Sequence, residues 1–261
     1  TVAATPQYDV HATWSGFRWP LAGRAVLNSA RGGLEARGWQ EFDYRVNGDF
    51  EPAGAPPFRG TASGRFTTEQ IAVEESDWNV LGGRVALQGT LGRDASQSWT
   101  VNGSARDIDP SNVRAELPGK LTFDFAGSGA GFEKDSPWAA SVRRLSGRFR
   151  GQPVSGGGGI RRSVDRTEFE DVALSLGPAR LDLDGRLGRD ANLDARLVSD
   201  DLSAFLPELG GRVNATLLVR DRTLAIAFTG HDLAWQSHRA VILSVDANID
   251  RDGREHSWLR L

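Results

Sequence analysis

Short segments in which apolar and polar residues alternate run along the whole chain. In the clearest segments the apolar residues fall at every second position: Val85 and Leu87, then Leu121, Phe123 and Phe125, then Leu181 and Leu183. A period of two is typical of a strand with one apolar face and one face in water. No window of a dozen residues has the period of a helix. The pattern therefore predicts an all-β fold with a mainly antiparallel sheet.

Two short helical turns are predicted between strands, at residues 109–113 and 201–205. Each begins with an aspartate, which is a favourable helix N-cap, and Pro110 stands at the favourable first helical position. Both turns belong to an internal repeat, because residues 84–95 align with residues 180–191 at an offset of 96 (84 to 180). We therefore expect one continuous β segment over residues 1–261, with repeat units at approximately 66–150 and 165–249.

An apolar strand face has to be covered by something. Since no amphipathic helix is predicted, the sheet must curl onto itself, close into a sandwich or bury a ligand. Glycine makes up 31 of the 261 residues and punctuates the strands, which permits the bends and bulges that curling needs. A closed sandwich stays an alternative on these grounds alone.

Charge and composition narrow the possible partners. The 31 basic and 34 acidic side chains give a net charge of −3, so there is no basic surface for nucleic acid. No segment approaches the roughly 20 apolar residues of a membrane-spanning helix. Cysteine and methionine are absent, and the chain ends on the strand-like residues 257–261. We therefore expect an excised fragment of a longer protein that is not itself membrane-spanning.

Candidate catalytic chemistry is weak throughout. The glycine run 156–159 lacks the Lys-Ser/Thr pair of a phosphate loop, and the four histidines are scattered without metal-ligand spacing. No nucleophile elbow is present. We expect no catalytic residues, no metal site, no cofactor and no enzymatic activity. The eight tryptophans are spread along the chain, which favours packing roles over a sugar-binding patch, although that alternative stays open.

Several local motifs together resemble the TamB family of AsmA-like proteins. They occur in order at residues 14–21 (Trp-Ser-Gly-Phe-Arg-Trp-Pro-Leu), 82–89, 107–110 after Trp99, 201–211 and 228–235. The resemblance runs from about residue 6 to the end of the chain. It implies a middle fragment of a bridge-like lipid-transfer protein, with an elongated, curved sheet folded into a U-shaped β-taco groove whose concave face is apolar.

The resemblance also implies a place and a partner. The full-length protein would be anchored in the inner membrane, extend into the periplasm and meet the outer-membrane barrel TamA. The groove would conduct phospholipid acyl chains between the two membranes and so support outer-membrane biogenesis. The alternative function is a chaperone-like scaffold on which outer-membrane β-barrel proteins or autotransporters assemble by β-augmentation.

Strand parity then predicts which side chains would line such a groove, because alternate residues of a strand share one face. We expect acyl chains to contact the following residues: Val85, Leu87, Leu91, Leu121, Phe123, Phe125, Leu181, Leu183, Leu187, Val213 and Leu217.

Overall fold

A computed structural model describes residues 7–20, 23–133, 135–205, 208–221, 223–235, 238–250 and 255–260. These residues form antiparallel strands and two short 3₁₀ helices, which confirms the all-β class and both predicted turns. The chain divides into two compact units, unit 1 (Thr1–Ser136) and unit 2 (Pro137–Leu261).

Unit 1 is a meander in which every strand pairs antiparallel with the next. Such short connections follow from the turn residues between successive alternating segments. Its strands are β1 (Tyr8–Trp19), β2 (Leu27–Gly38), β3 (Phe42–Pro52), β4 (Phe58–Phe66), β5 (Gln70–Val80), β6 (Gly83–Gly92), β7 (Ser98–Ile108) and β8 (Gly119–Ala130).

Unit 2 is built in the same way, again with each strand paired to the next in sequence. Its strands are β9 (Trp138–Phe149), β10 (Gln152–Ser163), β11 (Arg166–Leu176), β12 (Ala179–Gly188), β13 (Asn192–Ser199), β14 (Leu209–Arg220), β15 (Thr223–Trp235), β16 (His238–Asp250) and β17 (Glu255–Arg260).

The 3₁₀ helices Pro110–Asn112 and Leu202–Ala204 lie before β8 and β14. Asp109 caps the first helix by accepting a hydrogen bond from the backbone N–H of Ser111 at 2.9 Å, and Asp201 accepts one from Ser203 at 2.9 Å. Both aspartates have the extended backbone of an N-cap. The two caps therefore end a strand and start a turn by the same chemistry.

Strand pairing repeats between the units. Trp78 pairs with Val85 in unit 1, and Leu174 pairs with Leu181 in unit 2, an offset of 96 for both partners. Even the irregularities coincide, since β5 and β11 each carry a bulge just before these residues. Residues 84–92 and 180–188 are accordingly strands in equivalent places. The bounds 66–150 and 165–249, and the continuity of one segment over the whole chain, stay predictions.

The buried core of the described residues is thin. The large side chains in it are Ile108, Leu193 and Val213, and none of its members is aromatic. Most apolar side chains on the sheets are half-buried. A sandwich would bury the facing side chains of two layers, whereas the described part of each unit has the partial burial of a single layer. The closed-sandwich alternative is not favoured.

Candidate functional site

One face of unit 1 collects the apolar side chains predicted there. Cα partners on neighbouring antiparallel strands point to the same side of a sheet. Val85 therefore shares a row with Ala105 and Phe123, and Leu87 shares the next row with Gly103 and Phe125. Leu91 lies beside Trp99, and Leu121 beside the buried Ile108. All six residues predicted in this unit thus lie on one face.

The five residues predicted in unit 2 also share one face. Leu181 lies in a row with Leu197 and Ala215, and Leu183 in a row with Ala195 and Leu217. The two remaining positions are Val213, which pairs with Ser199 next to Ala179, and Leu187, which pairs with Thr167. The structure brings the predicted residues together within each unit, and contact with lipid stays a prediction.

The opposite face of each sheet is polar and carries ion pairs, both within a strand and between neighbouring strands. In unit 1 these include Arg31–Asp49 at 2.9 Å and Arg65–Asp43 at 3.0 Å. In unit 2 they include Arg180–Asp182 at 2.7 Å on one strand and Arg212–Asp232 at 3.5 Å between strands. These side chains are largely exposed, so each pair adds little stability. Their exposure shows which face of each sheet is in contact with water.

Unit 1 carries an aromatic cluster on its apolar face, formed by Trp14, Phe17, Phe50, Phe58 and Trp78. Phe50 stacks on Phe58 with ring centroids 5.3 Å apart, and Trp78 meets Phe58 edge-on at 5.2 Å. Trp14 lies 6.4 Å from Phe50 and 5.9 Å from Phe17. Its indole N–H donates to the buried Ser29 hydroxyl at 2.7 Å. We define these five rings as the aromatic cluster.

Glycines make room for the aromatic cluster. Gly32, Gly48 and Gly60 are Cα partners on three successive strands, between Trp14 and Trp78. A Cβ on Gly32 would collide with the indole of Trp14, and one on Gly48 would come within 3.0 Å of the Phe50 ring. The rings therefore lie against bare backbone.

Sequence reasoning missed this cluster. Its rings come from four strands, and the register that brings them together is not visible in any single segment. The glycines at 48 and 60, each two residues from Phe50 or Phe58, were the one available signal.

A family model described as "TamB, N-terminal domain" matches residues 3–261. The chain belongs to the TamB family. No match was found among the curated proteins or among the solved structures. The family is linked to outer-membrane assembly. Within the part of this TamB-family chain that the structure describes, no helix is long and apolar enough to cross a membrane.

One polar side chain on the apolar face of unit 1 has a shifted pKa. Tyr44 lies on the apolar face, where its hydroxyl donates to the carbonyl oxygen of Ala72 at 3.0 Å. Burial, and secondarily the charge of Glu74, raise the pKa of Tyr44. The phenol therefore stays protonated and hydrogen-bonded. Over the described residues, no group of three or more acidic or histidine side chains is placed to hold a metal ion.

Perturbed carboxylates lie instead at the turns and on the polar face. Hydrogen bonds from Ser111, first from its hydroxyl and then from its backbone, lower the pKa of Asp109. Ser203 lowers the pKa of Asp201 in the same way, and Arg180 lowers that of Asp182. In each case the cause is a cap or an ion pair that stabilises the charged form. These shifts are therefore explained by structure and do not require a substrate.

Proposed function

We propose that the apolar face of this TamB-family chain holds phospholipid acyl chains, and that the chain acts as a passive, non-enzymatic conduit. In the full-length protein, which we place in the periplasm with an inner-membrane anchor, such a conduit would join the two membranes. The outer-membrane barrel TamA is the proposed partner at the far side. This proposal starts from the family's link to outer-membrane assembly.

The observation that carries the proposal is an apolar face covered by no second protein layer in the described part of either unit. Leu174 is 36% exposed and Leu187 is 38% exposed, although both lie on the face where the leucines gather. Contiguous apolar surface left open in this way marks a binding surface. A hydrocarbon ligand needs no polar partner there, so the face itself provides the recognition.

The energetics suit a hydrocarbon chain. Each buried methylene contributes about 0.8 kcal/mol, so a tail of about 15 methylenes gains roughly 12 kcal/mol before costs. Loss of translational freedom and ordering of the tail remove about 4–15 kcal/mol. The balance gives reversible binding, which a conduit requires because it must also release its cargo.

The test uses two adjacent leucines that point to opposite faces. Leu217 lies on the apolar face opposite Ala195, while Leu218 lies on the polar face opposite Asp194 and is 36% exposed. We expect Leu217→Asp to lose bound phospholipid, since a carboxylate in a dry hydrocarbon contact is costly. Leu218→Asp makes the same chemical change in water and should keep the lipid.

Bound phospholipid would be extracted from each purified variant and quantified by mass spectrometry, with circular dichroism as the check of folding. The expected result is at least a fivefold loss for Leu217→Asp and less than a twofold change for Leu218→Asp. Equal lipid content in the two folded variants would contradict the proposal. So would the absence of phospholipid from the unsubstituted protein after incubation with vesicles.

A further inference from the structure

The repeated register allows positions in the two units to be compared one by one. Phe58 of the aromatic cluster corresponds to Val154, and Trp78 corresponds to Leu174. Each residue of unit 1 precedes its counterpart by 96 positions, and the strands pair in the same register in both units. Phe50 pairs with Phe58, and Gly147 pairs with Val154. Three aromatic positions in unit 1 are thus glycine, valine and leucine in unit 2.

In unit 1 these positions carry aromatic rings that pack against one another over the backbone. Phe50, Phe58 and Trp78 contact one another with centroid separations of 5.2–6.0 Å. Aromatic pairs at such distances attract beyond the area that they bury. A hydrocarbon chain could lie against this backbone only by displacing rings that already satisfy one another.

In unit 2 the same positions leave the face open. Between its described residues no aromatic ring pair is found, and the nearest equivalent of Trp78 is the exposed Leu174. The row of Leu174 continues across the next strands with Leu181, Leu197 and Ala215 and ends beside Phe228. None of these described residues is charged, which complements an uncharged tail.

We infer that acyl chains bind to the apolar face of unit 2 around the aliphatic side chains of Val154, Leu174 and Leu181, and that the aromatic cluster excludes them from the equivalent surface of unit 1. This inference rests on the proposed lipid-holding function and deepens it. Phe50, Phe58 and Trp78 are then the residues that determine where on the chain a tail is held. The cluster takes the place that hydrocarbon takes in unit 2.

The experiment compares one equivalent pair of positions. Val85 lies beside Trp78 and Leu181 lies beside Leu174, at the same register. A benzophenone amino acid would replace either residue in the full 261-residue chain. After incubation with vesicles of phosphatidylethanolamine and phosphatidylglycerol, irradiation forms adducts that peptide mass spectrometry quantifies. We expect at least five times more phospholipid adduct at position 181 than at position 85.

The second part of the experiment replaces one side chain in each unit by its counterpart in the other unit. Trp78→Leu should raise the adduct at position 85 at least threefold, because it removes a ring from the cluster. Leu174→Trp should lower the adduct at position 181 by a similar factor. If either variant lost its strand signal in circular dichroism, the inference would be decided by the adducts at positions 85 and 181 in the protein that keeps Trp78 and Leu174.

The outcomes separate the two proposals. Equal adduct at the two positions, or more at position 85, would overturn the inference while the lipid-holding function stands. Absence of adduct at both positions, with no phospholipid bound to the chain, would overturn both. An adduct confined to position 181 that responds to Leu174→Trp would support both.

Discussion

Truncating two leucines of the same apolar face should destabilise the protein by clearly different amounts. Leu193 is 4% exposed, while Leu187 is 38% exposed on the same side of unit 2. Leu→Ala at a buried site costs about 2–5 kcal/mol, and a thin sheet can collapse partly onto the gap, so we expect about 2–3 kcal/mol for Leu193→Ala. Leu187 keeps more than a third of its surface in water, so Leu187→Ala should cost only about 1 kcal/mol.

The assay is urea unfolding of delipidated protein followed by circular dichroism. The two variants are compared with the same m-value, the slope of the unfolding free energy against urea concentration. A second series with phospholipid bound would sharpen the test, since a ligand that covers Leu187 should increase the cost of its truncation. Losses above about 2 kcal/mol at both positions in the delipidated protein would refute the reasoning. That result would mean that a second layer of protein already covers the face around Leu187.

Two further predictions concern the turns and the strand glycines. Hydrogen bonds from Ser203 lower the pKa of Asp201, so its stabilising effect is complete above the unfolded value near 4 and is lost as the pH falls through the folded pKa. Asp201→Asn keeps a cap but does not titrate, and the fall in thermal midpoint between about pH 4 and pH 2 should be shallower than in the parent; an unchanged slope would contradict this. Gly156 has a φ of +149°, and a Cβ there would collide with the carbonyl oxygen of Ala173, so Gly156→Ala should destabilise by more than about 1 kcal/mol. The control is Gly210→Ala, whose Cβ would meet Ala234 at an ordinary 3.4 Å, and equal effects of the two would argue against close backbone approach in β10.

Strand parity was predictable because it depends on local geometry alone. Leu181 and Leu183 had to share a face once the segment was a strand, and the structure places them so. The caps at Asp109 and Asp201 were predictable for a similar reason, since the cap bond joins residues two apart. The 84-to-180 match also indicated equivalent strands, because Gly-Arg-Asp-Ala begins at the last residue of the strand in both places.

Strand parity could not predict which residues share a face across a β-bulge. Val73 and Trp78 are five residues apart, which places them on opposite faces of a regular strand. The irregularity in β5 returns both to the apolar face, beside Gly89 and Val85. Phe169 and Val172 of β11 are brought to one face in the same way. Alternation cannot show where an extra residue is inserted, so Trp78 could not be assigned to a lining from sequence.

The two units share their strand register and backbone contacts but differ in some of their apolar side chains. Gly60 and Gly156 occupy equivalent places, and a Cβ on either would collide with a carbonyl oxygen, that of Asp77 or that of Ala173, so close backbone approach is common to both units. Beside them the side chains diverge from Trp78 to Leu174, with no change in pairing. The strand pairing and these glycines are thus shared by the two units, while the apolar side chains beside them differ. If acyl chains bind as proposed, two regions of such a sheet can differ in their affinity for hydrocarbon while they share the same strands, bulges and turns.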